Sequence, residues 1–300
     1  MKTAITLWKF SRPHTIIGSA ISILTLYIII CKDCKTEHLL ILFTALIVGI
    51  TCNIFIVGIN QIADVNIDKI NKPYLPIPAG ELSILGAKII VVTSLLLSLI
   101  LSFIISPYLF LIIALSTSIG WAYSMPPIYL KKHHLTAALA ITFVRGILIN
   151  LGGFVVLNYV INKSINIPMD VQILTAFIIV FSIVISWFKD LPDMEGDSEY
   201  KIKTLAIVYS PKSVFITGTI LLALTYFITI LLKYQDVINS TNPSFQTLVL
   251  YYGNIFLLVL FVLNSFTINL ASHLSIKKFY KRFWWFFFAE YMLYLVAYLY

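Results

Sequence analysis

Apolar positions in this chain run in long unbroken stretches, with polar residues collected into short connectors. Nine stretches stand out: 15–31, 39–59, 89–105, 108–123, 136–157, 171–188, 214–232, 247–270 and 284–300. A helix needs about 20 such residues to cross the hydrocarbon core of a bilayer. Continuous apolar runs argue against a transmembrane barrel, whose strands alternate lipid-facing and lumen-facing residues. The pattern therefore predicts nine membrane-spanning helices. The third and fourth meet at Ser106-Pro107, which leaves room only for a tight hairpin.

Composition agrees. Of 300 residues 60% are hydrophobic and only 11% charged, against about 25% charged in a soluble domain. Soluble, disordered and disulfide-stapled secreted classes are excluded. The net charge of +8 reads as topology, not as nucleic-acid binding. Sixteen of the 21 basic residues fall in the N-terminus and the connectors after stretches two, four, six and eight. Four fall on the other side, and Arg145 lies inside a stretch. Basic residues accumulate on the cytoplasmic side, so the N-terminus is expected in the cytoplasm and the C-terminus outside. The first stretch follows fourteen residues without a small-x-small cleavage site or a Ser/Arg-rich leader, which argues against a signal or transit peptide. Cys31 and Cys34 form a single CxxC with only His38 nearby, too little for a zinc site. The five histidines read as interfacial.

The chemistry is expected in the acids. Seven of the 13 carboxylates lie in two segments, 60–73 and 189–203, each following the cytoplasmic end of a span. Asn60, Asp64, Asp68 and Lys72 are spaced by four, which places them on one helix face. Lys189, Asp193, Asp197 and Lys201 repeat that spacing at a constant offset of 129, although Pro192 and Gly196 make the second helix less regular. Two related halves, spans 1–4 and 5–8, follow as an expectation, with the site at their interface. Like charges four apart repel, and a divalent cation relieves the conflict. Oxygen ligands suit Mg²⁺, whose shell is commonly completed by phosphate, and the interleaved lysines suit the remaining phosphate charge. A diphosphate head with a long hydrocarbon tail matches acidic helix ends on an apolar bundle.

Asn60-x-x-x-Asp64-x-x-x-Asp68 and Asp193-x-x-x-Asp197 resemble the two aspartate-rich motifs of the UbiA superfamily of intramembrane prenyltransferases. Segments 9–18, 60–76 and 188–197 are similar to its homogentisate branch, which makes tocopherol and plastoquinone precursors. The resemblance implies an all-α, nine-span UbiA-like domain over residues 1–300, in two pseudo-repeated halves. It implies Mg²⁺ held by Asp64, Asp68, Asp193 and Asp197 as the catalytic set, with Asn60 and Asp190 supporting the metal shell. A prenyl diphosphate would ionise and an aromatic acid, homogentisate first, would attack the allyl cation, with loss of CO₂ from the ring's carboxymethyl group. Naphthoate, 4-hydroxybenzoate and chlorophyllide remain alternative acceptors. An ion-coupled transporter or a non-catalytic scaffold are the alternatives outside the family. A bacterial inner membrane, with the site facing the cytoplasm, is the expected location.

Further candidates each have a plainer reading. Arg145 is the one arginine deep in a span: it either binds a substrate carboxylate or diphosphate, or makes a structural bond to Asn150. Lys72 is aimed by its spacing at phosphate. Lys131 is a phosphate ligand or a cytoplasmic anchor. Lys189 and Lys201 flank the second ladder as candidate substrate-binding groups, and Arg12, with His14, stands at the entrance of span 1, where it either binds the aromatic acid or serves an interfacial role. Glu290 reads as a packing hydrogen-bond partner, and Trp284, Trp285 and Phe286–Phe288 as an interfacial aromatic belt. Asn53 and Thr51 are candidate polar groups in the cavity.

Overall fold

The computed structural model describes residues 2–31 and 35–299; Cys34, half of the CxxC, lies outside them. Among the described residues the chain is helical throughout, with one isolated β-bridge. A short helix α1 (Lys2–Phe10) precedes α2 (Pro13–Ile30), α3 (Thr36–Ala63), α4 (Val65–Asn71), α5 (Ile84–Ile105) and α6 (Pro107–Ser124). Then come α7 (His134–Thr142), a π-helical segment (Phe143–Gly152) and α8 (Gly153–Asn162), which together make one span. The rest is α9 (Met169–Phe188), α10 (Met194–Glu199), α11 (Leu205–Val208), α12 (Pro211–Ile238), α13 (Phe245–Ser265) and α14 (His273–Leu299). Among the described residues, eight helices are long and apolar enough to cross a membrane. The ninth expected span belongs to α14, a 27-residue helix whose basic first half and many tyrosines keep it below that apolarity.

Sequence sets these boundaries locally. Ser83 caps α5 by accepting from Gly86 N, and Ser210 caps α12 by accepting from Ser213 N. Ser106 closes α5 and caps α6, accepting from Tyr108 N, while Pro107 takes the first helical position, so the hairpin turns on one residue. In α5 the buried face is Ala87, Val91, Ser94, Ser98 and Ser102, and the outer face carries Ile89, Leu96, Ile100 and Phe103. Small residues let it lie close against α3, and large apolar ones meet lipid.

Neighbouring helices close into a ring: α2, α3, α6, the π-helical span, α9, α12, α13, α14 and back to α2, with α5 outside against α3 and α6. The core is aromatic. Phe181 stacks on Phe283 at 4.7 Å, and Phe188 packs edge-on against Phe279 and Phe283. Offset and edge contacts of this kind add to the burial of each ring. The proposed aromatic belt is therefore corrected. Trp284, Phe286, Phe287 and Phe288 are buried, and only Trp285 points outward. As a ring member, α14 presents most of its circumference to neighbouring helices.

Candidate functional site

Both acidic segments leave the ends of long helices and fold into short ones. Helix α3 stops at Ala63, and α4 begins at Val65. Even so, Asp64 N, Asp68 N and Lys72 N donate to Asn60 O, Asp64 O and Asp68 O at 2.9, 2.7 and 2.8 Å. The four-residue rungs survive a bent helix. After α9 the chain makes one 3₁₀ turn, Leu191–Asp193, around Pro192 and enters α10. The two short helices pack against each other: buried Gly196 N donates to Asn71 Oδ1 at 2.9 Å.

That contact brings the ladders together. Lys72 of the first donates to Asp193 of the second at 2.5 Å and lies 3.8 Å from Asp68. Asp64 is held by Lys131, which is only 7% exposed, and accepts from Asn60 Nδ2 at 3.0 Å. Asn60 Nδ2 also reaches Ser124 Oγ at 3.4 Å. Asp190 pairs with Lys189 at 2.6 Å, and the Lys189 ammonium sits 6.0 Å from the Tyr123 ring. Asp197 is buried, within electrostatic range of Asp190, Asp193, Lys189 and Lys72. The loops bearing these lysines are tied by Lys203 N donating to Lys132 O and His134 N to Lys203 O.

Electrostatics follow from burial. Burial pushes the Asp68 carboxyl above the usual carboxylate range, against the opposing fields of Lys72 and Arg12. Burial likewise pulls the Lys131 ammonium down, against the attraction of Asp64. Two acid oxygens, Asp68 Oδ2 and Asp193 Oδ1, are buried with no hydrogen-bond partner among the described residues. Among the described residues no three His, Cys, Asp or Glu side chains converge as a ready-made metal cage. Lysine ammonium groups stand among the carboxylates instead.

The candidates sort as follows. Asn60, Asp64, Asp68, Lys72, Lys131, Lys189, Asp190, Asp193 and Asp197 share one site, with Arg12 close enough for its charge to act on Asp68 and Lys72. Arg12 takes a left-handed backbone, φ 53°, at the bend between α1 and α2. Lys201 does not join. It is exposed, in a left-handed turn at φ 55° that sends the chain away from α10, so the fourth rung of the second ladder is absent. Lys131 belongs to the site and is not an exposed anchor. The bond from Arg145 to Asn150 is absent as well: Asn150 donates to Thr175 and accepts from Tyr291 at 2.7 Å. Glu290 is fully buried, and neither of its oxygens finds a partner among the described residues. Asn53 donates to Thr15 and Thr51 to Ile47 O, so both are occupied in packing. Two residues were missed by sequence reading, Asn71 and Gly196. Their signal was the lone glycine between two acids of the second segment.

Known proteins share this architecture and sequence. The UbiA prenyltransferase family matches residues 20–288. A homogentisate phytyltransferase from Synechocystis sp. is 37% identical, the match covering 99% of this chain and 96% of that protein. A homogentisate solanesyltransferase from Arabidopsis thaliana is 32% identical, the match covering 96% of this chain and 75% of that protein. Among solved structures, a UbiA homolog from Archaeoglobus fulgidus bound to GPP and Mg²⁺ superposes with a TM-score of 0.62 at 16% identity, covering 97% of this chain and 99% of that one. With a family match over most of its length and relatives alike along nearly all of it, the chain belongs to the UbiA prenyltransferase family.

Proposed function

We propose that this protein transfers a prenyl group from a prenyl diphosphate to homogentisate, with loss of CO₂, at the cytoplasmic end of its helix ring. The observation that carries the reading is the meeting of the two ladders: five carboxylates and three lysines, with Asp68 Oδ2 and Asp193 Oδ1 buried and unpartnered. Orphaned acid oxygens of this kind are costly unless a cation completes them, and all-oxygen donors suit a hard ion. The residues therefore fit Mg²⁺, with Asp64, Asp68, Asp193 and Asp197 as its holders. Bound there, Mg²⁺ supplies Lewis-acid stabilisation of the departing diphosphate. The named relatives share homogentisate as acceptor and differ in prenyl chain, which supports the acceptor and leaves the donor's length open.

The chain's own residues do the rest. Lys72, Lys131 and Lys189 lie among the carboxylates and are placed to contact phosphate oxygens as charge builds on the leaving group. Asn60 and Ser124 fix the orientation of Asp64. Asn71 and Gly196 hold the ladders in register. The apolar ring below accommodates the prenyl chain and keeps water from the allyl cation. We read residues 1–300 as one domain of two pseudo-repeated halves, α14 as the ninth span, and the location as a bacterial inner membrane with the N-terminus in the cytoplasm. The test is incubation of membranes holding the protein with Mg²⁺, homogentisate and isoprenyl diphosphates of several lengths. A prenylated, decarboxylated quinol is expected; no product from any donor refutes the reading.

A further inference from the structure

Arg145 is a charge inside a span without a counter-charge. Among the described residues it forms no salt bridge, and its Nη1 is buried with no acceptor. Its guanidinium lies over the Trp284 ring at 5.3 Å and the Phe287 ring at 5.5 Å. Cation–π contact offsets part of the cost of burial, but it leaves the buried Nη1 without an acceptor. Trp284 Nε1 is a second buried donor without an acceptor. The Tyr280 hydroxyl is near that indole without closing a hydrogen bond to it. His14 packs edge-on against the same indole, ring centres 4.8 Å apart. Arg145 sits in the π-helical segment, a backbone form concentrated at functional positions. Asn150 and Tyr291 satisfy each other and leave Arg145 free.

We propose that Arg145 and Trp284 Nε1 receive the carboxylate of the aromatic acceptor, making this cluster the acceptor-acid subsite. The inference rests on the proposed function and deepens it. Arg145 Nη1 and Trp284 Nε1 are two buried donors left without acceptors, and a carboxylate supplies two acceptor oxygens, while the Trp284, Phe287 and His14 rings suit an aromatic body. The position is right for a ring that must meet the prenyl carbon. Tyr280 stands within electrostatic reach of Lys189 and Asp193 on one side and Arg145 on the other. The subsite is thus next to the ladders and deeper in the bundle: Arg145 is eleven residues into its span from His134, about 17 Å along a helix. A diphosphate oxygen is the competing occupant, and the test separates the two.

Steady-state transfer is measured in membranes for the wild type, Arg145→Gln, Arg145→Lys and Trp284→Phe. So is inhibition by unreactive 2,5-dimethoxyphenylacetate and by its methyl ester. Arg145→Gln is expected to raise the KM for homogentisate at least tenfold and leave the KM for prenyl diphosphate within twofold. The wild type should favour the acid inhibitor over its ester, and Arg145→Gln should erase the preference; Arg145→Lys should restore part of it. If Arg145→Gln fails to accumulate, Trp284→Phe decides by a severalfold rise in the KM for homogentisate alone. An unchanged acid-to-ester ratio, or a rise in the KM for prenyl diphosphate instead, overturns the subsite while leaving the proposed function standing. A wild type that prenylates no aromatic acid removes both.

Discussion

Gly196→Ala tests the contact that brings the ladders together. A Cβ on Gly196 would lie 2.7 Å from Asn71 Oδ1 and 2.8 Å from both Cγ and Nδ2. Ordinary contact needs about 3.5 Å, so α10 or Asn71 must move by roughly 0.7 Å. Asn71 is buried, and its side chain accepts the Gly196 N–H at 2.9 Å. Overpacking costs about 1–3 kcal/mol, and leaving that N–H unsatisfied adds about 1–3 kcal/mol. A shift of this size across the site should lower turnover by about 10–100-fold, since 1 Å of misplacement is worth on the order of a hundredfold. The control is Asn71→Ala, which removes the clashing atoms. In that background Gly196→Ala should add less than about 0.5 kcal/mol, a coupling visible in a double-mutant cycle. Thermal midpoints of detergent-solubilised protein and prenyl transfer in membranes read both effects. Gly196→Ala costing as much with Ala at position 71 as with Asn would refute the clamp.

Lys131→Met should leave Asp64 buried without its counter-ion, lowering the thermal midpoint in chelator and making the protein more responsive to added Mg²⁺ than the wild type; scanning fluorimetry with and without Mg²⁺ checks this. Lys201→Ala should stay within twofold of wild-type turnover, because Lys201 is exposed and turned away from the ladder. Glu290→Met should raise the thermal midpoint, since it removes two buried acid oxygens that lack partners at little change in volume; a lower midpoint would assign Glu290 a partner.

Much of this architecture was legible in the sequence because the bilayer makes hydrophobic length informative. The Ser106-Pro107 hairpin and the eight spans found among the described residues follow from apolar runs alone. The ladders were legible because a four-residue period survives the bend at Asp64. What the sequence hid depends on tertiary contact. Lys131 lies 67 residues from Asp64, and nothing in its local pattern separates a buried counter-ion from a cytoplasmic anchor. Lys201 keeps the spacing of Lys72 but loses its role to one left-handed residue. Trp284 and its phenylalanine neighbours have the composition of an interfacial belt. Their burial is set by α2 and α13 closing around α14, which no local pattern records.

The central claim is that the facing ladders hold a divalent ion and a diphosphate together. The most direct measurement is electron paramagnetic resonance of Mn²⁺ titrated into the purified protein with an unreactive prenyl thiolodiphosphate. The account predicts ³¹P hyperfine coupling at a stoichiometric Mn²⁺ site in the wild type, lost in both Asp68→Asn and Asp193→Asn. Coupling of equal strength in both variants would contradict it.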